Sequence, residues 1–87
     1  MGGPMTSSAV EGWGVESIRK AKGISLEEIS NDTKLKIRTL RAIEAGNFDE
    51  LPGGIYNISY IRQYARAIGV DEAGLVQFYR ANYPSAA

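Results

Sequence analysis

The sequence contains no cysteine and no histidine. The lack of cysteine excludes disulfides and thiolate nucleophiles, and the lack of both excludes the common zinc sites and the usual general base. No apolar run approaches the roughly 20 residues that a membrane span needs. The start of the chain lacks the basic end and apolar middle of a signal peptide. We therefore expect no metal, no cofactor, no membrane contact by this segment, and a cytoplasmic location.

Groups that could perform catalysis are also scarce. The sequence has no glycine-rich phosphate loop and no serine in a nucleophile motif. Its acidic pairs, Glu27–Glu28, Asp49–Glu50 and Asp71–Glu72, consist of adjacent residues. Adjacent side chains diverge around a helix and do not converge on one substrate. We therefore expect a protein that is not an enzyme.

The charge is balanced over the whole chain but not along it. The formal net charge is zero, yet residues 18–41 contain seven basic and three acidic residues. The basic ones are Arg19, Lys20, Lys22, Lys34, Lys36, Arg38 and Arg41. A neutral protein can therefore still present one basic face to a partner.

Hydrophobic periodicity predicts five helices and no strand, which gives a compact all-α domain. The segments expected to be helical are 13–22, 26–31, 37–45, 53–68 and 72–82. Three-residue spacing puts Val15, Ile18 and Ala21 on one face of the first segment. The flanking residues 1–12 and 84–87 offer little to bury, so we expect a disordered tail, a domain over 13–83 and a disordered end.

Local signals mark the second and third helices. Ser25 followed by Glu28 is a capping box at the start of the second helix. Gly46 is placed to end the third helix, on which Leu40 and Ile43 form the inward pair. The two helices and their short connection have the layout of a helix-turn-helix unit.

The outer side of the third helix is a candidate DNA-binding site. On a helical wheel, Arg38, Arg41 and Ala42 point away from the inward pair, and Lys34 and Lys36 lie at the amino end. In helix-turn-helix docking this helix meets the major groove, basic residues hold phosphates, and alanine permits close approach. The alternative is an ordinary solvated helix face.

The fourth helix carries a second candidate site. Tyr56, Tyr60 and Tyr64 recur at four-residue spacing, and Arg62 and Arg66 form a neighbouring edge. Tyrosine and arginine are enriched where protein partners dock. The alternative is that the tyrosines form the rim of the core with their hydroxyls in water.

Three stretches of the chain resemble a known bacterial family. The span from 13 to 83 resembles the amino-terminal helix-turn-helix domain of RodZ-type proteins, within the Xre/lambda-repressor-like superfamily. The matching stretches are IRKAKGISLEEIS, TKLKIRTLRAIEAGNFDELPGG and YIRQYARAIGVD. The resemblance implies a lambda-repressor-like fold of five helices, of which the second and third form the helix-turn-helix unit.

The resemblance implies two functions. Xre-type relatives bind operator DNA, usually as dimers, which makes this chain a candidate transcription regulator and homodimer. RodZ-type proteins are membrane-anchored and bind the actin-like filament protein MreB in cell-shape control, largely through the fourth helix. By motif match their partner-binding aromatics correspond to Tyr60 and Tyr64. Leu26 and Lys34 depart from the DNA-binding pattern, which often has Gln and Gly there. Binding to double-stranded DNA is the first prediction and docking to the filament protein the alternative.

Overall fold

The structure, a computed structural model, describes residues 14–82 and confirms the all-α, five-helix prediction. Within this part of the chain no residue lies in a strand. The predicted tails, together with Trp13 and Tyr83, lie outside the described residues, so the domain boundaries remain predictions. The helices are α1 (Val15–Ala21), α2 (Leu26–Thr33), α3 (Ile37–Ala45), α4 (Asn57–Ile68) and α5 (Glu72–Asn82).

The first helix differs from the prediction in the face that it buries. Val15 and Arg19 are buried, whereas Ile18 is 37% exposed and Ala21 is exposed. Three-residue and four-residue spacings both fit the 3.6-residue helical repeat, and the buried pair, Val15 and Arg19, follows the four-residue spacing. The predicted face is wrong because the inward position is Arg19, a residue that a hydrophobic pattern does not mark.

The ends of α2 and α3 follow the local signals. The Ser25 side chain accepts a hydrogen bond from the backbone N–H of Glu28, and the Glu28 side chain accepts one from the backbone N–H of Ser25. Gly46 caps α3 with a φ of 74°. A side chain rarely adopts this left-handed conformation, so glycine is the favoured residue there. Both capping predictions are confirmed.

Two hydroxyl groups hold the turn between α2 and α3. Ser30 Oγ donates a 2.6 Å hydrogen bond to the carbonyl of Leu35. Thr33 Oγ1 donates to the carbonyl of Ile29 and accepts from the N–H of Leu35. α2 runs two residues beyond its predicted end at 31, and the N–H of Lys34 donates to the carbonyl of Ser30 at its last turn.

The fourth helix begins later than the sequence predicted. A 3₁₀ turn, Gly54–Tyr56, precedes it, and α4 itself starts at Asn57. The Asn57 side chain is buried and accepts a 3.0 Å hydrogen bond from the N–H of Gly53. Two successive glycines are poor helix formers, which explains why the regular helix does not include them.

The core lies between α4 and the helices around it. Leu40 and Ile43 of α3 are 0% exposed, as predicted. The ring of Phe48 meets that of Tyr79 from α5 edge to face, with centroids 5.0 Å apart. α4 packs against both α2 and α5, so only part of its surface remains for a partner.

Candidate interaction surfaces

The predicted DNA-binding residues do not all reach the surface. Lys34, Lys36, Arg38 and Arg41 are exposed around the turn and along α3. Ala42 is 5% exposed, which contradicts its placement on the outer face. The helix contacts both α2 and the 3₁₀ turn Phe48–Glu50, so more than one side of it is covered. The site is therefore a set of four cations without the small residue that close approach would use.

The basic stretch is also smaller than the sequence suggested. Arg19 is buried in an ion pair with Glu44. The ammonium group of Lys22 donates a 2.7 Å hydrogen bond to the carbonyl of Ile68, at the carboxyl end of α4. A cation is favourable there because the last helical carbonyls carry partial negative charge. Lys20 pairs with Glu16 on the surface of α1. These three basic residues are therefore engaged within the domain and add little to a basic surface.

The tyrosine stripe divides into three different environments. Tyr56 is 62% exposed, Tyr60 is half-buried, and Tyr64 is 0% exposed. The expectation that Tyr64 lies at a partner face is wrong, because α4 turns this residue into the core. Tyr56 and Tyr60 remain available at the surface.

Tyr64 belongs to a buried polar cluster that the sequence did not reveal. Its hydroxyl donates a 2.5 Å hydrogen bond to Oε2 of Glu44, and Nε of Arg19 lies 2.5 Å from the same oxygen. Arg19 also donates to the carbonyl of Ile24. Burial and the hydrogen bond to Glu44 raise the pKa of Tyr64. The only signal in the sequence was that Glu44 follows the inward Ile43. A helical wheel places such a residue at the boundary between the core and solvent.

An open concave surface runs along α4. Its concavity has a volume of about 640 Å³. We call it the α4 surface, and it is lined by Ile55, Ile58, Ser59, Arg62, Gln63 and Arg66. Ile55 is 88% exposed at one end. At the other end Arg66 makes two hydrogen bonds to Glu72 of α5. Arg62 makes no ion-pair contact within the described part of the chain, although its charge adds to the larger effect of Arg66 in lowering the pKa of Glu72. The surface therefore combines an apolar anchor with an available cation.

A smaller groove of about 260 Å³ lies between the helix-turn-helix turn and the start of α4. Residues from both predicted sites line it, since Lys34, Lys36 and Arg38 occur there together with Tyr60. The sequence placed these residues at separate sites because it gives no distance between α3 and α4. The fold makes them one surface, which we call the turn groove.

Comparison with known proteins agrees with this architecture. The family described as "Helix-turn-helix domain" matches residues 16–75. The chain is 37% identical over 62 residues to the uncharacterized membrane protein YmfM of Bacillus subtilis, covering 71% of this chain and 22% of that protein. It is 34% identical over 58 residues to the cytoskeleton protein RodZ of Streptococcus pneumoniae, covering 67% of this chain and 21% of that protein. The chain belongs to the RodZ-type helix-turn-helix family.

This RodZ-type domain spans about a fifth of the length of the two relatives. No solved structure matches the chain. Among residues 14–82, no helix is long and apolar enough to cross a membrane. The same residues contain no group of acidic side chains placed to hold a metal ion.

Proposed function

We propose that this RodZ-type domain is a non-catalytic module that docks an actin-like filament protein of the MreB type. The α4 surface makes the contact. The cytoplasmic side of the membrane is the compartment in which such a partner would be met. The similarity to a protein named for the cytoskeleton supports this function over DNA binding.

The observation that carries the proposal is the exposure of Ile55. A side chain of this size that is 88% exposed leaves apolar area in water. Tyr56, beside it, is also exposed, and the concave α4 surface begins at Ile55. Aromatic and apolar anchors next to arginine are typical of surfaces where protein partners bind. Arg62 would then pair with an acidic group of the partner.

DNA binding is the second candidate, supported by the exposure of the four cations Lys34, Lys36, Arg38 and Arg41. Three features of the unit weaken it. Leu26, at the start of α2, offers no hydrogen bond to a phosphate. Glu27 and Glu28 are exposed in the first turn of α2 and would repel the backbone of DNA. Buried Ala42 leaves the third helix without its predicted contact to a base.

Co-sedimentation with polymerised MreB-type protein from the same organism tests the proposal. We expect the wild-type domain to pellet with filaments. Ile55→Ser should weaken binding by about tenfold or more, as loss of an interface anchor does. Arg62→Glu should weaken it too, because it reverses the charge of the cation. Arg80→Glu, an exposed change on α5 outside the α4 surface, is the matched control. Equal binding by all variants, or none by the wild type, would contradict the proposal.

The surface tyrosine gives a second measurement. Tyr56→Ala should weaken filament binding and leave the melting temperature nearly unchanged, because the exposed ring has little burial to lose. If the Tyr56→Ala variant binds filaments as tightly as the wild type does, Tyr56 is not part of the interface.

Binding to a short random-sequence DNA duplex at two salt concentrations tests the second candidate. If the four cations meet phosphates, log K should fall with log salt at a slope of roughly −0.9 per phosphate neutralised. Arg38→Ala and Arg41→Ala should each reduce affinity and flatten that slope. Undetectable binding at low salt would eliminate this candidate.

A further inference from the structure

All the charged residues that line the turn groove are positive. Lys34, Lys36 and Arg38 line it, and no carboxylate does. No ion pair occupies these three cations within residues 14–82. Two exposed cations elsewhere on the domain, Lys20 and Arg66, are instead paired with Glu16 and Glu72. The turn groove therefore combines these three positive charges with apolar side chains.

An aromatic ring, that of Tyr60, forms part of the lining and is called the floor of the groove. The half-buried ring of Tyr60 lies against Gly53 so closely that a Cβ atom there would come within 2.4 Å of Tyr60 Cε2. Leu35 and Pro52 complete the apolar lining. Glycine therefore lets the ring approach the backbone of the chain that precedes α4.

The backbone of Lys34 adds a separate observation. Its φ is 66°, and it is the only residue other than glycine among 14–82 with a positive φ. Glycine adopts this conformation without steric cost, whereas a lysine is strained there. Lys34 is the C-cap of α2, and its N–H donates to the carbonyl of Ser30. Strained backbone positions cluster at functional sites, which makes this exposed lysine of the groove a candidate contact.

We propose that the turn groove binds an extended acidic segment of a protein partner, with an apolar side chain of that segment resting on Tyr60. This inference rests on the proposed function, since it gives the filament-binding domain a second contact beside the α4 surface. Clustered cations recognise acidic motifs through charge-assisted hydrogen bonds, and an apolar floor favours a segment with interspersed leucine. An acidic peptide fits this combination better than duplex DNA, whose rigid backbone offers no side chain to the ring.

The test uses the full 87-residue chain and a fluorescein-labelled peptide of alternating Glu, Asp and Leu residues. Fluorescence anisotropy at roughly 50 and 200 mM salt measures binding. A peptide with Gln and Asn in place of the acids is the matched ligand control. We expect the acidic peptide to bind, the neutral one not to bind, and affinity to fall at the higher salt.

Lys34→Gly is the most informative variant, since it removes the ammonium group and leaves a residue suited to the backbone conformation. It should weaken peptide binding about twofold to fivefold, the range for one exposed ion pair. Lys36→Gln/Arg38→Gln should weaken it more. Lys20→Gln/Arg80→Gln, which removes the same charge outside the groove, should bind as the wild type does. Equal losses in the two double variants would overturn the assignment of the groove.

The outcomes separate this inference from the proposed function. If the wild type binds filaments, Ile55→Ser weakens that binding, and Lys34→Gly changes binding of neither filaments nor peptide, then the groove inference fails and the proposed function stands. If peptide binding depends on Lys34 but no filament binds, the proposed function fails. If duplex DNA binds more tightly than the peptide and the groove variants weaken it equally, the groove is a nucleic-acid site and the inference is overturned.

Discussion

Tyr64 on α4 donates a 2.5 Å hydrogen bond to Glu44 on α3, 20 residues earlier in the chain. The same carboxylate holds the guanidinium of Arg19 on α1. One buried acid therefore joins three helices, and each partner constrains how the others pack. A buried ion pair adds little net stability over an apolar core, but losing one member leaves a desolvated charge.

Replacing Tyr64 by Phe keeps the ring and removes only the hydroxyl. We expect the free energy of unfolding to fall by about 1.5–3 kcal/mol, the range for a hydrogen bond to a charged group. Urea denaturation followed by circular dichroism measures it. Tyr56→Phe, at an exposed position, is the control and should change stability by less than about 0.5 kcal/mol. Similar small effects in both variants would show that the buried hydrogen bond is not formed in solution.

Removing the acid should cost more than removing the hydroxyl. Glu44→Ala leaves the guanidinium of Arg19 buried without its carboxylate, and we expect a loss of about 3–5 kcal/mol. The double variant Arg19→Met/Glu44→Leu removes both charges and should be more stable than Glu44→Ala alone. Thermal melts of the two variants compare them directly. A double variant that unfolds at a lower temperature than the single one would contradict this account of the pair.

Alkaline pH should reveal the environment of Tyr64. Its pKa is raised above the ordinary value of 10.0, chiefly by burial and next by the hydrogen bond to Glu44. A raised pKa means that the folded state favours the protonated phenol, so this contribution is complete below about pH 10 and is lost as pH rises further. The stability difference between wild type and Tyr64→Phe should therefore stay constant from about pH 7 to 9 and shrink above about pH 10. An unchanged difference at about pH 11 would contradict the raised pKa.

The helices could be predicted from sequence because their signals are local. The capping box at Ser25, the stop at Gly46 and the inward pair on α3 involve residues within one or two turns of each other. Such interactions depend on spacing alone. The position of Ala42 could not be predicted in this way, since a wheel built on one inward pair ignores a second neighbour that covers the flank of the helix.

The candidate sites were harder because they depend on distances between helices. The tyrosines recur at four-residue spacing, but Tyr56 lies in the 3₁₀ turn before α4, and spacing does not tell which ring enters the core. The partner of Glu44 is 25 residues away in Arg19, a separation that no periodicity encodes. Likewise, only the packing of α4 near the helix-turn-helix unit brings Tyr60 to the cations at the turn.

The strained turn gives a prediction about stability. Lys34 has a φ of 66°, a conformation that costs a residue with a side chain about 1–2 kcal/mol. Lys34→Gly should therefore raise the free energy of unfolding by about 1 kcal/mol, whereas β-branched Lys34→Val should lower it. Lys36→Ala, at a residue with ordinary extended backbone, controls for loss of a lysine charge. A destabilised glycine variant would mean that the lysine side chain stabilises the fold more than its backbone strains it.

The contact between Gly53 and Tyr60 gives the last prediction. A Cβ atom on Gly53 would lie 2.4 Å from Cε2 of the Tyr60 ring, far closer than two carbon atoms can pack. Gly53→Ala should therefore displace the ring and destabilise the domain by about 1–3 kcal/mol, as overpacking does. In a Tyr60→Ala background the obstacle is absent, so the same alanine should cost much less. Chemical denaturation of the wild type, both single variants and the double variant forms a double-mutant cycle, which gives the coupling energy between Gly53 and Tyr60. A coupling energy near zero would show that the ring does not rest on Gly53. A large coupling would mean that the glycine fixes the floor of the turn groove, so Gly53→Ala should also weaken binding of the acidic peptide.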